Sequence, residues 1–472
     1  MMKTTEDTGS AVVAELPSDL DPFSALGSLS DLPFPVLLDS SLRHPELGGV
    51  SYLVADPFSW SLIDRAEPAH LRQVDEVLRR HELPSLPHLP PFQGGIINLC
   101  SYDLKTCFES IPDSINEFAV PQLFWGAYDV VFIFDHLEGR NWLVSQGLPE
   151  TEPVARRERA ENRLAWFQSR IKDPRPGTPA ANSQKLDAAK ISALHPSGIA
   201  NSIFSNFSRS QYIQAVQKCI DYIEAGDIFQ VNLAQRLLSR QQEDALSIYD
   251  RLRRKNQATF AAFLDLGKHQ ILSSSPERLL SVDGDWTVET RPIKGTRQRS
   301  CYPEANLFSA EGLITSEKDR AENVMIVDLL RNDLSKICLD ESIQVSKLCG
   351  IEPYEYVQHL VSVIRGQLPG RPRFESLFKA LFPGGSITGA PKVRAMEIIA
   401  EIEKVARGAY CGSLGYFGFN GTVDQNILIR TMTLGQGWVQ IPVGGGIVSQ
   451  SDPVSEYEET VHKAHGMLRA IV

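Results

Sequence analysis

The sequence predicts a mixed α/β fold whose sheets are mostly antiparallel and flanked by helices. Short segments with period-two apolar alternation recur at Ile228–Leu237, Phe260–Leu266, Gln270–Ser274, Trp286–Arg291, Ser413–Phe419 and Val439–Val443. Helical periodicity separates only some of them, which argues for hairpin-like pairs over strict β-α-β alternation. The chain has 472 residues, of which 42% are hydrophobic and 22% charged, an ordinary globular balance that excludes a wholly disordered or fibrous chain. At about 100–200 residues per domain this length allows several domains or one composite one, and folding needs no metal or disulfide staple.

Taken in order, the first 30 or so residues are small, polar and acidic and read as a flexible tail (1–30). Apolar runs at Phe34–Leu38, Gly94–Leu99 and Asp129–Phe134, with helical patterns at Leu71–Arg80 and Pro153–Ile171, make an N-terminal α/β region over 31–172. A stretch rich in Pro, Ala and Ser over 173–206 reads as a linker or long loop, and a second domain follows over 207–472. There, Tyr212, Val216, Cys219, Ile220 and Ile223 fall at helical spacing in a helix opened by Ser210 and stopped by Gly226. In the strand that follows, Phe229, Val231 and Leu233 share one face, broken on the other by Gln230, Asn232 and Gln235. Further helices are expected at Ser316–Ile337, Phe374–Leu381, Val393–Glu403 and Ser455–Ala470.

The formal charge is -11, from 47 basic and 58 acidic residues, which argues against non-specific nucleic-acid binding. A local basic cluster can still receive an anionic substrate at short range. Seven cysteines, with no C-x-x-C pair, argue against a disulfide framework or zinc site and for a reducing cytoplasm. The N-terminus reads as neither a signal peptide nor a membrane span.

Several segments carry candidate chemistry. Pro383-Gly384-Gly385-Ser386-Ile387-Thr388-Gly389-Ala390-Pro391-Lys392 is either an anion cradle beside Lys392 or a tight turn before a helix; it lacks the Gly-Lys-Ser/Thr of a nucleotide-binding loop. Lys294, between Ile293 and Gly295 after a strand, is a nucleophile if desolvated and an inert surface charge if not. Glu322 shares a helical face with Met325, Ile326 and Leu329, so it ends at the core rim or has a partner that justifies burial. The last helix, capped by Ser455 and Glu458, carries Glu456 and Glu459 in its first turn, where acids are favoured by the dipole alone. Carboxylates on two helices can hold Mg2+, which needs only one or two beside the substrate's own oxygens. Glu277, in a turn between strands, and His359 are plausible proton-transfer groups or ordinary structural residues. Gly444-Gly445-Gly446, flanked in sequence by Arg430 and Lys463, permits close backbone approach to a ligand or makes a bend.

The ordered set Gly226-Asp227-Ile228-Phe229-Gln230-Val231-Asn232-Leu233-Ala234, Ser275-Pro276-Glu277, Pro292-Ile293-Lys294-Gly295-Thr296, Val327-Asp328-Leu329-Leu330-Arg331-Asn332-Asp333-Leu334, Gly389-Ala390-Pro391-Lys392 and Gly444-Gly445-Gly446-Ile447 resembles the chorismate-utilising enzymes over about residues 205–472. Leu37-Leu38-Asp39-Ser40 is similar to a tryptophan-site motif of that family. The resemblance implies a large two-lobed α/β sandwich with its site between packed sheets and helices. It implies catalytic roles for Lys294, Glu277 and His359, with Gly295, Thr296, Tyr410, Arg430, Gly444, Gly445, Gly446 and Lys463 contacting chorismate. Glu322 and Glu459 would hold Mg2+, and Ser40, Thr259, Phe260 and Ala261 would line a tryptophan pocket.

Two positions discriminate among members. Isochorismate- and salicylate-forming members carry a water-activating lysine where this chain has Gln230, and an amide cannot take that proton. Anthranilate-forming members usually carry alanine at the position of Lys294, whereas those that make 4-amino-4-deoxychorismate carry lysine. The resemblance therefore implies amination of chorismate through a covalent Lys294 adduct, with Glu277 as general acid. The chain lacks a Gly-x-Cys-x-Gly-x-Gln glutaminase signature, so a separate glutamine amidotransferase subunit is implied as the source of ammonia. Anthranilate formation is the nearest alternative, and a non-catalytic sensor of chorismate or tryptophan is the alternative outside enzymes.

Overall fold

The computed structural model describes residues 11–44, 47–172, 185–299, 310–353 and 357–471. Two large sheets stack face to face. In the first, of thirteen strands, the spatial order begins Val12–Leu16, Arg140–Ser145, Val130–Asp135, Val50–Val54, Val36–Asp39 and Phe260–Asp265. It continues through His269–Ser275, Thr431–Gly435, Trp438–Ile447, Gln230–Arg240, Ile203–Ser205 and His195–Pro196, with Gly389–Ala390 pairing beside Gln230–Arg240. The second, of ten strands, runs Ile293–Gln298, Val357–Gln367, Thr287–Thr290, Arg278–Val282, Val423–Asn426, Ser413–Gly418, Gly95–Cys100, Leu123–Tyr128 and Ser59–Ile63, with Gln344–Pro353 on Val357–Gln367. The pairings within both sheets are antiparallel, as the recurrent alternation predicts.

Between the sheets, Val131, Ile133, Ala262, Leu264 and Ile271 of one meet Ile97, Leu99, Phe124, Leu414 and Tyr416 of the other. Nine helices of the described residues are α1 (Pro22–Leu29), α2 (Pro68–Arg80), α3 (Pro153–Lys172), α4 (Arg209–Glu224), α5 (Ala245–Lys255), α6 (Glu317–Ser335), α7 (Phe374–Leu381), α8 (Lys392–Glu403) and α9 (Pro453–Ile471). Leu26, Phe167, Leu252 and Met467 from α1, α3, α5 and α9 cover the outer face of the first sheet. Val74, Ile326, Phe378 and Ile399 from α2, α6, α7 and α8 join the core beneath the second.

Four expectations are corrected. Residues 12–29, read as tail, form a strand in register with Arg140–Ser145 and then α1, capped by Asp21, because Val12, Ala14, Leu16, Ala25, Leu26 and Leu29 are buried. Glu15 within the strand and Asp19 in the turn after it masked that pattern. Of the expected linker, 173–184 lie outside the described residues. The remainder adds Ile203–Ser205 and His195–Pro196 to the sheet edge, because Ile203 buries against the core.

The halves on either side of that stretch are not separate bodies. Val36–Asp39 pairs with Phe260–Asp265, and Gly95–Cys100 with Ser413–Gly418, so both halves build both sheets. Finally, Gln230–Ser239 is buried on both faces, with helices packed against it, while Phe229 is 70% exposed outside the strand. The polar residues there are buried: Gln235 is bonded to Ser205 and Thr460, whereas Gln230 has no partner among the described residues.

A buried ion pair joins the elements around that site. Arg407 and Glu403 pair through two guanidinium nitrogens, Nε to Oε2 at 2.9 Å and Nη2 to Oε1 at 2.6 Å. Arg407 also donates to the carbonyls of Ile387 and Asn232, and Glu403 accepts from the Ala234 N–H. Removing one partner strands a charge in the core. Glu403→Ala is expected to cost about 3–5 kcal/mol in urea unfolding, whereas replacing both residues by apolar ones costs less.

Candidate active site

Lys294 lies on the strand Ile293–Gln298, which pairs with Val357–Gln367. Lys294 opposes Leu360 and Thr296 opposes His359, so Gly295 is the extra residue of a β-bulge. Its φ of +75° is a conformation that favours glycine. A Cβ there would also stand 3.1 Å from the Asp319 carboxyl carbon. The bulge breaks the strand's alternation at this point and leaves Lys294 partly buried, with its amine donating to the Ser386 carbonyl at 3.1 Å.

Glu277 arrives from a different direction. The segment Ser275-Pro276-Glu277 is not a hairpin turn: Ser275 ends a strand of the first sheet and Arg278 begins one of the second. The crossing point is covered on all sides, and Glu277 is 4% exposed. Its carboxyl accepts from Ser386 Oγ at 2.9 Å. Ser386 therefore stands between the two groups, its hydroxyl on the acid and its carbonyl on the amine. The glycine-rich segment is thus the turn that delivers Ser386, and Gly385 packs so closely on α6 that a Cβ would meet Leu329 at 2.5 Å. Lys392 takes no part as an anion ligand, because its ammonium is bound to the buried Asp333 of α6 at 2.6 Å.

The electrostatics favour uncharged forms of both groups. Burial lowers the Lys294 amine from its ordinary value, opposed by Glu322, Glu277 and Glu459 and aided by Lys463. Burial raises the Glu277 carboxyl, opposed by Lys294, the Ser386 hydrogen bond, the Ile293 N–H and Arg430. A neutral amine beside a protonated carboxyl is the state required of a nucleophile and a general acid.

Glu322 sits at the core rim on α6, partly buried with Met325 and Leu329, and burial raises its carboxyl. On α9 the cap is Asp452, whose carboxylate accepts from the Ser455 N–H at 2.9 Å, because the helix starts earlier than Ser455. Glu459 is half exposed and its carboxyl is held low despite burial's opposing push, chiefly by Lys463 at 2.7 Å. Lys463 also donates to the Gly444 carbonyl at 2.9 Å. Gly444–Gly446 make no bend; they continue the strand to Ile447 in register with Ala234, Leu233 and Asn232. A Cβ on Gly445 would fall 3.2 Å from Glu456 Oε2 and 3.7 Å from both Glu459 Oε1 and Lys463 Nζ. A Cβ on Gly446 would reach the Gln230 amide at 2.5 Å.

Gln230 is fully buried, and both polar atoms of its carboxamide lack a hydrogen-bond partner among the described residues. An orphaned amide over bare glycines marks a surface shaped for a polar ligand. His359 is buried on Val357–Gln367, where burial first and Arg430 second push its imidazole down to about 4, so it stays neutral. Arg430 acts on both Glu277 and His359. Tyr410 is buried beside the Arg407–Glu403 pair, and nothing is described for the Thr296 side chain.

Ser40, Thr259, Phe260 and Ala261 also come together, but elsewhere. They line a separate cavity with Tyr52 and Tyr416. Ser40 Oγ donates to the Val50 carbonyl, and the buried Thr259 hydroxyl lacks a partner among the described residues.

Sequence reasoning missed Ser386. A serine in a glycine-rich turn carries no mark of its role, which depends on Glu277 and Lys294 meeting it from distant strands.

A family model described as chorismate binding enzyme matches residues 51–469. Aminodeoxychorismate synthase component 1 of Salmonella typhimurium is 37% identical over 94% of this chain and 94% of that protein. Anthranilate synthase component 1 of Thermus thermophilus is 39% identical over 84% of this chain and 80% of that protein. Among solved structures, anthranilate synthase component I from Streptococcus pneumoniae aligns with a TM-score of 0.73 at 29% identity, covering 90% of this chain and 93% of that one. The menaquinone-specific isochorismate synthase of Escherichia coli, at 19% identity and a TM-score of 0.72 over 98% and 95%, shares the fold.

The Ser386 hydroxyl stabilises the ionised form of Glu277. Ser386→Ala should therefore raise the pH at which Glu277 loses its proton, by about 0.5–1 unit. Infrared titration of the buried carboxyl band, assigned by its absence in Glu277→Gln, measures this shift.

Proposed function

The chain belongs to the chorismate binding enzyme family, and within that family we propose that it aminates chorismate to 4-amino-4-deoxychorismate, a step toward 4-aminobenzoate and folate. The observation that carries this reading is Lys294, an amine lowered by burial and hydrogen-bonded 3.1 Å from the Ser386 carbonyl, which also carries the acid's partner hydroxyl. Solved and curated relatives named anthranilate synthase are as similar as those named aminodeoxychorismate synthase, so overall likeness does not separate the two reactions. The lysine at 294 supports the amination at carbon 4.

The neutral amine of Lys294 attacks ring carbon 2 of chorismate, the ring double bonds shift, and the hydroxyl on carbon 4 leaves as water after taking the proton of Glu277. Ammonia then attacks carbon 4, the double bonds shift back, and Lys294 departs from carbon 2. Two displacements replace one difficult one. Gln230 would hydrogen-bond the bound ring system without activating water. Arg430 and Lys463 supply positive charge for the substrate's carboxylates, and neutral His359 lies where Arg430 reaches it. The "component 1" in the relatives' names supports a partner subunit, and we assign it the delivery of ammonia from glutamine.

Mg2+ suits the residues present: hard carboxylate donors at Glu459 and Glu456 face the gap over Gly445 that a Cβ would fill, and Glu322 lies within electrostatic reach of Glu456. No group of three or more metal-ligating side chains is already assembled among the described residues. That fits an ion whose remaining ligands are water and substrate. Bound there, Mg2+ would neutralise the ring carboxylate of chorismate. The separate cavity of Ser40, Thr259, Phe260 and Ala261 has aromatic walls and an unpartnered hydroxyl, which support its assignment to bound tryptophan.

With chorismate, ammonium and Mg2+, the wild-type protein should give 4-amino-4-deoxychorismate as the main product by mass spectrometry. Lys294→Ala should lower that rate by about 10³-fold or more and leave anthranilate as the residual product. Anthranilate as the main wild-type product would overturn the assignment.

A further inference from the structure

Lys318 plays no part in the chemistry above, yet it faces the carboxylate cluster. It lies in the first turn of α6, four residues before Glu322, so the two share a helical face. Its Nζ is 3.7 Å from Oε1 of Glu456, a carboxylate that is 7% exposed and also accepts from Ser451 Oγ at 2.7 Å. On α9 the same spacing recurs, with Glu459 and Lys463 four residues apart and 2.7 Å between their charged atoms. Two of the three carboxylates, Glu456 and Glu459, are thus each paired with a lysine ammonium, and Lys318 also acts on Glu322, together the charge a divalent cation would bring. The unpartnered Gln230 amide, which packs over Gly446 of the neighbouring glycine strand, indicates that a ligand lies on this side of the cluster.

Resting on the Mg2+ reading above, we propose that Lys318 is a place-holding counter-ion that competes with the divalent cation for the carboxylate cluster. The two lysines differ in freedom. Lys463 is also tied to the Gly444 carbonyl and stays within the site. Lys318 is about as exposed as Lys463 but makes a single ion pair among the described residues, so its flexible stem can swing into water when the metal arrives. Metal binding alone must expel that ammonium and bear repulsion from Lys463. With the substrate anion bound the repulsion is relieved, because a carboxylate of chorismate takes up the charge of Lys463, while Lys318 is expelled in either case. The cation and chorismate therefore bind with positive coupling, each raising the other's affinity by the same factor.

Mn2+ is the probe, its free concentration read by electron paramagnetic resonance with the full-length protein. In the absence of chorismate, Lys318→Met should bind Mn2+ about three- to tenfold more tightly than wild type, and Lys318→Arg should not. Adding chorismate without ammonia should tighten Mn2+ binding in wild type and in Lys318→Met alike, because the charge it takes up is that of Lys463. Glu459→Gln should weaken binding in every case. If Glu459→Gln binds as wild type does, the metal reading fails and the proposal with it. If Glu459→Gln weakens binding but Lys318→Met does not tighten it, the metal reading stands and the place-holder role is overturned.

Discussion

The proposed reaction requires an amine to remain uncharged while surrounded by acids. Three carboxylates, Glu277, Glu322 and Glu459, stabilise an ammonium at Lys294, and only burial, with help from Lys463, opposes them. Much of the local architecture bears on that balance. The bulge at Gly295 takes Lys294 out of the ordinary strand register. The crossing from one sheet to the other at Pro276 buries Glu277, and that burial raises its carboxyl against the pull of Lys294. The Ser386 turn offers the amine a neutral carbonyl in place of a charged partner.

The Ser386 turn comes from a part of the chain distant from the other two segments, and internal ties hold them together. Lys392 and Lys336 both bind the buried Asp333, which fastens the start of α8 to the end of α6 and so fixes the helix that carries Glu322. Arg407 bridges the Ser386 turn, through the Ile387 carbonyl, to the strand that carries Gln230. Buried ion pairs contribute little net stability, but they specify one arrangement when each charge has its partners. Their position around a site that must hold unlike protonation states side by side is consistent with that role. The glycine strand completes the enclosure, since side chains at Gly445 or Gly446 would occupy space used by Glu456, Glu459 or Gln230.

The sequence made the fold class legible through period-two alternation, and helix ends through Ser316, whose hydroxyl caps α6, and Gly226 after α4. It misled where burial on both faces imitates other patterns. Phe229, placed in a buried row, is exposed, and Val12–Leu16 hid a strand among acidic neighbours. The division into two domains failed because strand pairing across several hundred residues leaves no local trace. At the site, Lys294 and Glu277 stood out only through the motifs around them. Ser386 carried no mark, and Lys392 carried a misleading one, because its partner Asp333 lies on another helix. Charge placement in space, which decides pKa values, is not written in spacing.

The central claim is that Lys294 becomes covalently bonded to the substrate. Wild-type protein mixed with chorismate and Mg2+ in the absence of ammonia, quenched within one turnover and analysed by intact-protein and peptide mass spectrometry, tests it directly. The account predicts an added mass equal to chorismate less one water, carried by the peptide that contains Lys294. Product formation on adding ammonia, with no such modified peptide at any quench time, would contradict it.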